Sequence, residues 1–162
     1  MTINEYKTVV GELGPRLLQF ADYQVGSIEV AKDLVQESFI VLLDKRENVE
    51  PAKAKAFLYA VLTNKTRDHF KLKKKQVEVQ DYHRIEEDKQ AKLDSKELVK
   101  LALSKLNERE RDLICLRDLE GYAYDEIAEK MELSLTQVKV YLFRARKALK
   151  NEIIKLEVEV RL

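Results

Sequence analysis

The stretch "SLTQVKVYLFRARKALK", Ser134 to Lys150, carries two apolar patterns on what its spacing predicts to be one helix. Leu135, Val138, Leu142, Ala145 and Leu149 recur at alternating spacings of three and four, which puts them on a single buried stripe. At roughly 100° per residue, Thr136, Val140, Arg144 and Lys147 point nearly opposite that stripe, and Phe143 lies on the same outer side. Five cations (Lys139, Arg144, Arg146, Lys147 and Lys150) share the helix, and no acid follows until Glu152. A Phe and a Val on the outer face of a cationic helix fit a partner that welcomes both charge and apolar contact; the alternative is a solvated basic helix with two exposed hydrophobes.

The residues before this helix narrow the choice. Ser134 and Gln137 have the spacing of a capping box, in which each satisfies a free N–H of the other. "YDEIAEKM" upstream is a short helix with Ile127, Ala128 and Met131 inward, and a tight turn separates the two. Two short helices, a brief turn and a cationic second helix spell a helix-turn-helix. Further upstream, "ELVKLALSKL" is helical, and Asn107 with Glu110 gives a capped start to "ERERDLICLRDLE", which Gly121 ends. The single cysteine, Cys115, lies in that apolar run and is expected to be a buried small hydrophobe.

The first half is helical too. Thr2 and Glu5 form a capping box for a helix to about Leu13; Gly14 and Pro15 punctuate it, and a second helix is expected through about Val25. Gly26 ends it and Ser27 caps the next, whose stripe is Ile28, Ala31, Leu34, Val35, Phe39, Leu42 and Leu43. "ENVEPAK" is predicted to be a loop, and "AKAFLYAVLTNKTRDHFKLKKK" a long helix, apolar early and basic late. From Gln76 the chain is acidic on balance and loses its apolar stripe. The fold class expected is all-α, with two small helical domains, 1–75 and 97–162, joined by a flexible linker over 76–96.

Composition removes several functions. Net charge is +1 although 36% of the 162 residues are charged, so the segregation of charge is more telling than its sum. No secretory leader or membrane span is expected, since no apolar run approaches ~20 residues, and a single cysteine fits a reducing, cytoplasmic compartment. The two histidines, His69 and His83, sit in no metal or triad spacing, and the four glycines form no phosphate loop. No enzymatic activity, metal, cofactor or small-molecule substrate is expected.

Two basic surfaces remain. One is Lys65, Arg67, Lys71, Lys73, Lys74 and Lys75, preceded by Phe57, Tyr59 and Asn64 and interleaved with Asp68, His69 and Phe70. Aromatics beside cations suit single-stranded nucleic acid, through stacking and phosphate neutralisation. The alternative is that Phe57 and Tyr59 are core and the lysines only solvate a helix end. The other surface is the opening helix. Arg144 is the candidate for a base edge in the major groove; Lys139, Arg146 and Lys147 suit phosphate or bases, and Val140 and Phe143 suit thymine methyls or sugar.

These stretches resemble the extracytoplasmic-function sigma factors, transcription-initiation subunits of the sigma-70 family. "AKDLVQESFIVLLDKR" is similar to their region two, "AFLYAVLTNKTRDHFKLKKK" to its promoter-melting part, and "LSKLNERERDLICLRDLEGYAYDEIAEKMELSLTQVKVYLFRARKALK" to region four. The resemblance implies that Asp33, Gln36, Glu37 and Phe39 face the clamp helices of the polymerase largest subunit. It implies that the loop 48–55, with Phe57, Tyr59, Asn64, Lys65, Arg67, Asp68, Lys71, Lys73 and Lys74, captures the minus-ten strand. Ser134, Thr136, Gln137, Lys139, Val140, Phe143, Arg144, Arg146 and Lys147 would read the minus-thirty-five element. Core RNA polymerase (clamp helices and flap), promoter DNA and an anti-sigma factor, often membrane-tethered, are the partners implied. Val140 stands where the family often has a small polar residue, Tyr141 where it has a basic one, Glu132 where it has Gly, and Phe57 where it has Trp. A helix-turn-helix regulator independent of polymerase, and a helical adaptor that binds only proteins, are the alternatives.

Overall fold

The computed structural model describes the backbone of residues 1–79 and 94–161 and the side chains of 1–75 and 94–159. It is helical throughout these residues and divides into two compact units, Met1–Arg84 and Ile85–Leu162.

Unit 1 begins with helix α1, Ile3–Val25. The capping box is present, with the Thr2 N–H donating to Glu5 Oε2 at 2.7 Å and the Glu5 N–H to Thr2 Oγ1 at 3.1 Å. The break expected between Leu13 and Pro15 does not occur, and one helix runs through where two were predicted. Pro15 removes one backbone bond, but the residue before it is Gly14, which has no Cβ to meet the proline ring. Burial of Leu17, Phe20 and Ala21 just beyond holds the helix together. Gly26 ends it at φ 74°, a left-handed position glycine occupies freely, and Ser27 caps helix α2, Ile28–Lys45. Ala31, Leu34, Val35 and Leu42 of α2 are buried as expected, Phe39 and Leu43 are half-buried, and Ile28 is exposed. Instead of an open loop, residues 46–53 hold two short 3-10 turns, Arg46–Asn48 and Pro51–Lys53. Helix α3, Ala54–Val79, completes the unit, packing Leu58, Tyr59 and Leu62 against α1 and α2.

Unit 2 starts earlier than the expected boundary at 97. Asp94 accepts the Glu97 N–H at 2.8 Å and caps helix α4, Ser95–Ser104. With α3 reaching Val79, the linker expected over 76–96 has helix at both ends; its remainder, 80–93, lies outside the described residues, as does His83. Asn107 caps helix α5, Glu108–Ile114, with the Glu110 N–H at 2.9 Å. The helix does not then run evenly to Gly121. It widens into a π-helical segment, Cys115–Leu119, before Gly121 (φ 71°) turns the chain. Helix α6, Tyr124–Met131, and helix α7, Leu135–Arg161, form the helix-turn-helix. Ser134 and Gln137 cap α7 reciprocally, at 2.9 and 3.1 Å.

The turn between α6 and α7 rests on Glu132, the one non-glycine residue with positive φ (55°) among the described residues. An L-residue there costs about 1–2 kcal/mol in Cβ clash, and glycine avoids that at some cost in chain entropy. Glu132→Gly is therefore expected to raise the unfolding free energy by about 0.5–1 kcal/mol, measured by denaturant titration, with no change in secondary structure by circular dichroism.

Candidate nucleic-acid interface

The recognition-type helix α7 is seated by Val138, Leu142 and Ala145, all essentially inaccessible to solvent. Leu149 is half-buried, while Leu135, expected on the buried stripe, is 47% exposed. It is the first residue of the helix, where the stripe meets nothing to pack on. On the opposite side Val140 and Phe143 are 40% and 70% exposed, as their angular positions predict. Thr136, Lys139, Arg144 and Lys147 are exposed with them, giving a face of apolar and cationic side chains. Ser134 and Gln137 lie at the edge of this face with their side-chain oxygens engaged in the cap.

Arg146 is placed differently from the other cations. Its Nε donates to Asp118 Oδ2 at 3.1 Å and its Nη2 to Asp118 Oδ1 at 2.6 Å. It is tied to the π-helical segment and not directed with Arg144 and Phe143. Tyr141 also has a local partner, the Arg109 guanidinium 4.8 Å from its ring centroid, which gives an aromatic residue a reason to stand there.

In unit 1 the expected minus-ten residues separate by burial. Tyr59 is 1% exposed and packs edge-on against Phe20, with ring centroids 5.2 Å apart, so it is a core residue and cannot stack on a base. Phe57 is half-buried. Asn64, Asp68, Lys71, Lys73 and Lys74 are exposed and Arg67 is half-buried, along one continuous helix. His69 and Phe70 are half-buried with their rings edge-on at 5.7 Å. Burial, and secondarily the Lys73 cation, lower the His69 pKa, so near neutral pH it offers a ring and not a charge. Leu72, which the sequence pattern did not single out, is 63% exposed between Lys71 and Lys73. An apolar side chain inside a lysine run was the signal for it.

Asp33, Gln36 and Glu37 are exposed on α2, and Glu37 accepts a 3.2 Å bond from Lys65 of α3. This pair puts a residue of the expected polymerase surface beside one of the expected strand-binding cations. Phe39 is half-buried; its ring lies over Gly14, and its carbonyl accepts the Tyr6 hydroxyl at 3.0 Å. Cys115 is fully buried, and burial followed by the nearby Asp112 carboxylate pushes its thiol pKa well up, which leaves it inert. No group of three or more His, Cys, Asp or Glu among the described residues could hold a metal, and no described helix is long and apolar enough to cross a membrane.

Residues 9–76 match the family model for sigma-70 region 2, and residues 96–149 match that for sigma-70 region 4. The chain belongs to the sigma-70 family. Within the family it is similar to the ECF RNA polymerase sigma factor SigM of Bacillus subtilis (strain 168), 28% identical over 127 residues that span 75% of this chain and 78% of SigM. It is similar also to the ECF RNA polymerase sigma factor EcfG of Rhodopseudomonas palustris (strain TIE-1), 27% identical over 83% of this chain and 77% of the relative. Among solved structures, the sigma factor RpoE in complex with the anti-sigma factor NepR from Bartonella quintana shares the fold, with TM-score 0.74, 24% identity and coverage of 94% and 98%. CnrH in complex with the cytosolic domain of CnrY does so with TM-score 0.62 and 22% identity, over 90% and 85%. Region 2 of this sigma-70 family member thus contains α2 and the basic part of α3, and region 4 contains the helix-turn-helix.

Proposed function

We propose that this ECF sigma factor directs core RNA polymerase to a two-part promoter and assists its melting. Region 4 reads the duplex minus-thirty-five element through Lys139, Val140, Phe143, Arg144 and Lys147. Region 2 holds the displaced minus-ten strand along Asn64, Arg67, Asp68, Lys71, Lys73 and Lys74, while Asp33, Gln36 and Glu37 face the clamp helices and the flap meets region 4. The observation that carries the proposal is the pairing, on one chain, of the two sigma-70 regions in order, the second presenting exposed Val140 and Phe143 among cations.

The chemistry needs no reacting group. A strand held by phosphate contacts, with its unstacked bases against aromatic and apolar side chains, offsets the cost of opening the duplex. Two modest contacts held on one polymerase act together, since binding of one raises the effective concentration of the other. An anti-sigma protein, like the NepR bound to RpoE from Bartonella quintana, is the expected inhibitory partner, and the cell interior the expected place of action.

Mixing the chain with core polymerase is expected to give a stable complex and promoter-dependent run-off transcripts. A chain that neither co-purifies with core polymerase nor directs initiation on any genomic fragment would rule the proposal out. Lys73→Ala is expected to make the log–log salt dependence of single-strand binding shallower by about 0.7, with base preference unchanged.

A further inference from the structure

We infer that Asp118 is a positioning residue for base reading: its carboxylate, through Arg146, fixes the rotation of α7 about its own axis. The inference rests on the proposal that α7 reads duplex DNA.

Val138, Leu142, Ala145 and Leu156 are buried against the other helices of unit 2, which sets the seat of α7 to within the ~20° scatter of helix packing; a directional contact narrows it further. The Arg146–Asp118 pair is directional. Its two near-parallel bonds, 3.1 Å from Nε and 2.6 Å from Nη2, grip one planar group with another. The segment that carries Asp118 leads through Gly121 into α6, whose first residue is Tyr124. Tyr124 is held in turn, because the Arg117 guanidinium lies 4.6 Å from its ring centroid and donates at 2.8 Å to the Tyr122 carbonyl. Arg146 therefore joins the flank of α7 to the π-helical segment, which Arg117 ties to the start of α6. Asp118 and Arg117 both lie in the widened segment Cys115–Leu119, where an extra residue in the turn re-aims the side chains beyond it by about 100° relative to an unbroken α-helix.

Rotation matters because the contacts on the outer face are short. A side chain reaching ~6 Å from the helix axis moves ~2 Å when the helix rolls by ~20°, whereas hydrogen-bond distances tolerate ~0.5 Å. Arg144 and Phe143 are two and three residues from Arg146, so the pair acts where the roll would be felt. Phosphate contacts made by flexible lysines would survive the same roll.

The experiment uses the full chain bound to core polymerase. A random duplex library is selected on the parent, Asp118→Asn and Arg146→Lys. Affinity for the best duplex and for one scrambled duplex is then measured for all three. The Lys variant retains charge but loses the planar two-point grip. Both variants are expected to lower the best-to-scrambled ratio about tenfold, the worth of one misaligned base contact, and to leave scrambled-duplex affinity and salt slope within about twofold of the parent. A parent-like ratio in either variant overturns the inference and leaves the DNA proposal standing. A ratio that falls only because all binding weakens, with a shallower salt slope in Arg146→Lys, assigns Arg146 to phosphate and also overturns it. A parent that shows no sequence preference at all overturns the DNA proposal and this inference together. Thermal unfolding identifies a variant that fails to fold, and the other variant then decides.

Discussion

Tyr59→Ala is expected to lower the unfolding free energy of unit 1 by about 3–5 kcal/mol, the usual cost of truncating a fully buried aromatic side chain. Tyr59 and Phe20 are both inaccessible, and their edge-on contact at 5.2 Å sits where α1 meets α3. Removing the ring takes away its buried area and leaves a cavity beside Phe20, which close-packed helices refill poorly. The check is chemical denaturation followed by helical circular dichroism. A loss under about 1 kcal/mol, together with weaker single-strand binding, would return Tyr59 to the nucleic-acid surface. Lys71→Ala and Lys74→Ala provide the contrast: both residues are exposed, and each should alter strand binding with stability within about 0.5 kcal/mol of the parent.

Arg144→Ala is expected to cost about 1–3 kcal/mol in binding the preferred duplex and to relax preference at a single base pair. Arg144 is exposed on the side of α7 away from Val138 and Leu142, next to Phe143 and one turn from Val140. A guanidinium there can present two donors to the guanine edge, which no other base pair matches. Measured affinities for a panel of single-base variants of the selected duplex decide the matter. Loss concentrated at one position assigns Arg144 to a base, and an equal loss across the panel assigns it to phosphate.

Much of the fold was legible in the sequence because it is local. The caps at Thr2, Ser27, Asn107 and Ser134 each involve residues three apart, and the helices start where those spacings place them. The outward aim of Val140 and Phe143 comes from counting 100° steps. What failed depends on packing and distance. Pro15 looked like a boundary, but Gly14 before it and the buried Leu17 and Phe20 beyond it carry the helix through. Tyr59 looked like either a stacking platform, because a basic run begins six residues on at Lys65, or a core residue, and its edge-on contact with Phe20 decides for the core. Leu135 fits the stripe by angle and fails because the stripe has no floor at the helix end. Arg146 looked like one more cation for phosphate or bases; its pairing with Asp118, 28 residues away, lies beyond any periodicity. The π-helical segment left no mark in composition.

Helix α7 continues for three turns past Lys150, and its charge reverses as it does so. Lys139, Arg144, Lys147 and Lys150 occupy the earlier part; Glu152, paired with Lys155, then Glu157, Glu159 and Arg161 follow, three acids against two cations. The backbone dipole of a helix points the same way, positive at its start. Charge and dipole together make the rod a compass needle in the field of a polyanion. If α7 reads DNA as proposed, approach with the cationic end leading would be drawn in, and approach with the acidic end leading turned away before any contact forms. High salt shortens the reach of that torque to a few ångströms, so it should slow productive landing more than it loosens a complex already made.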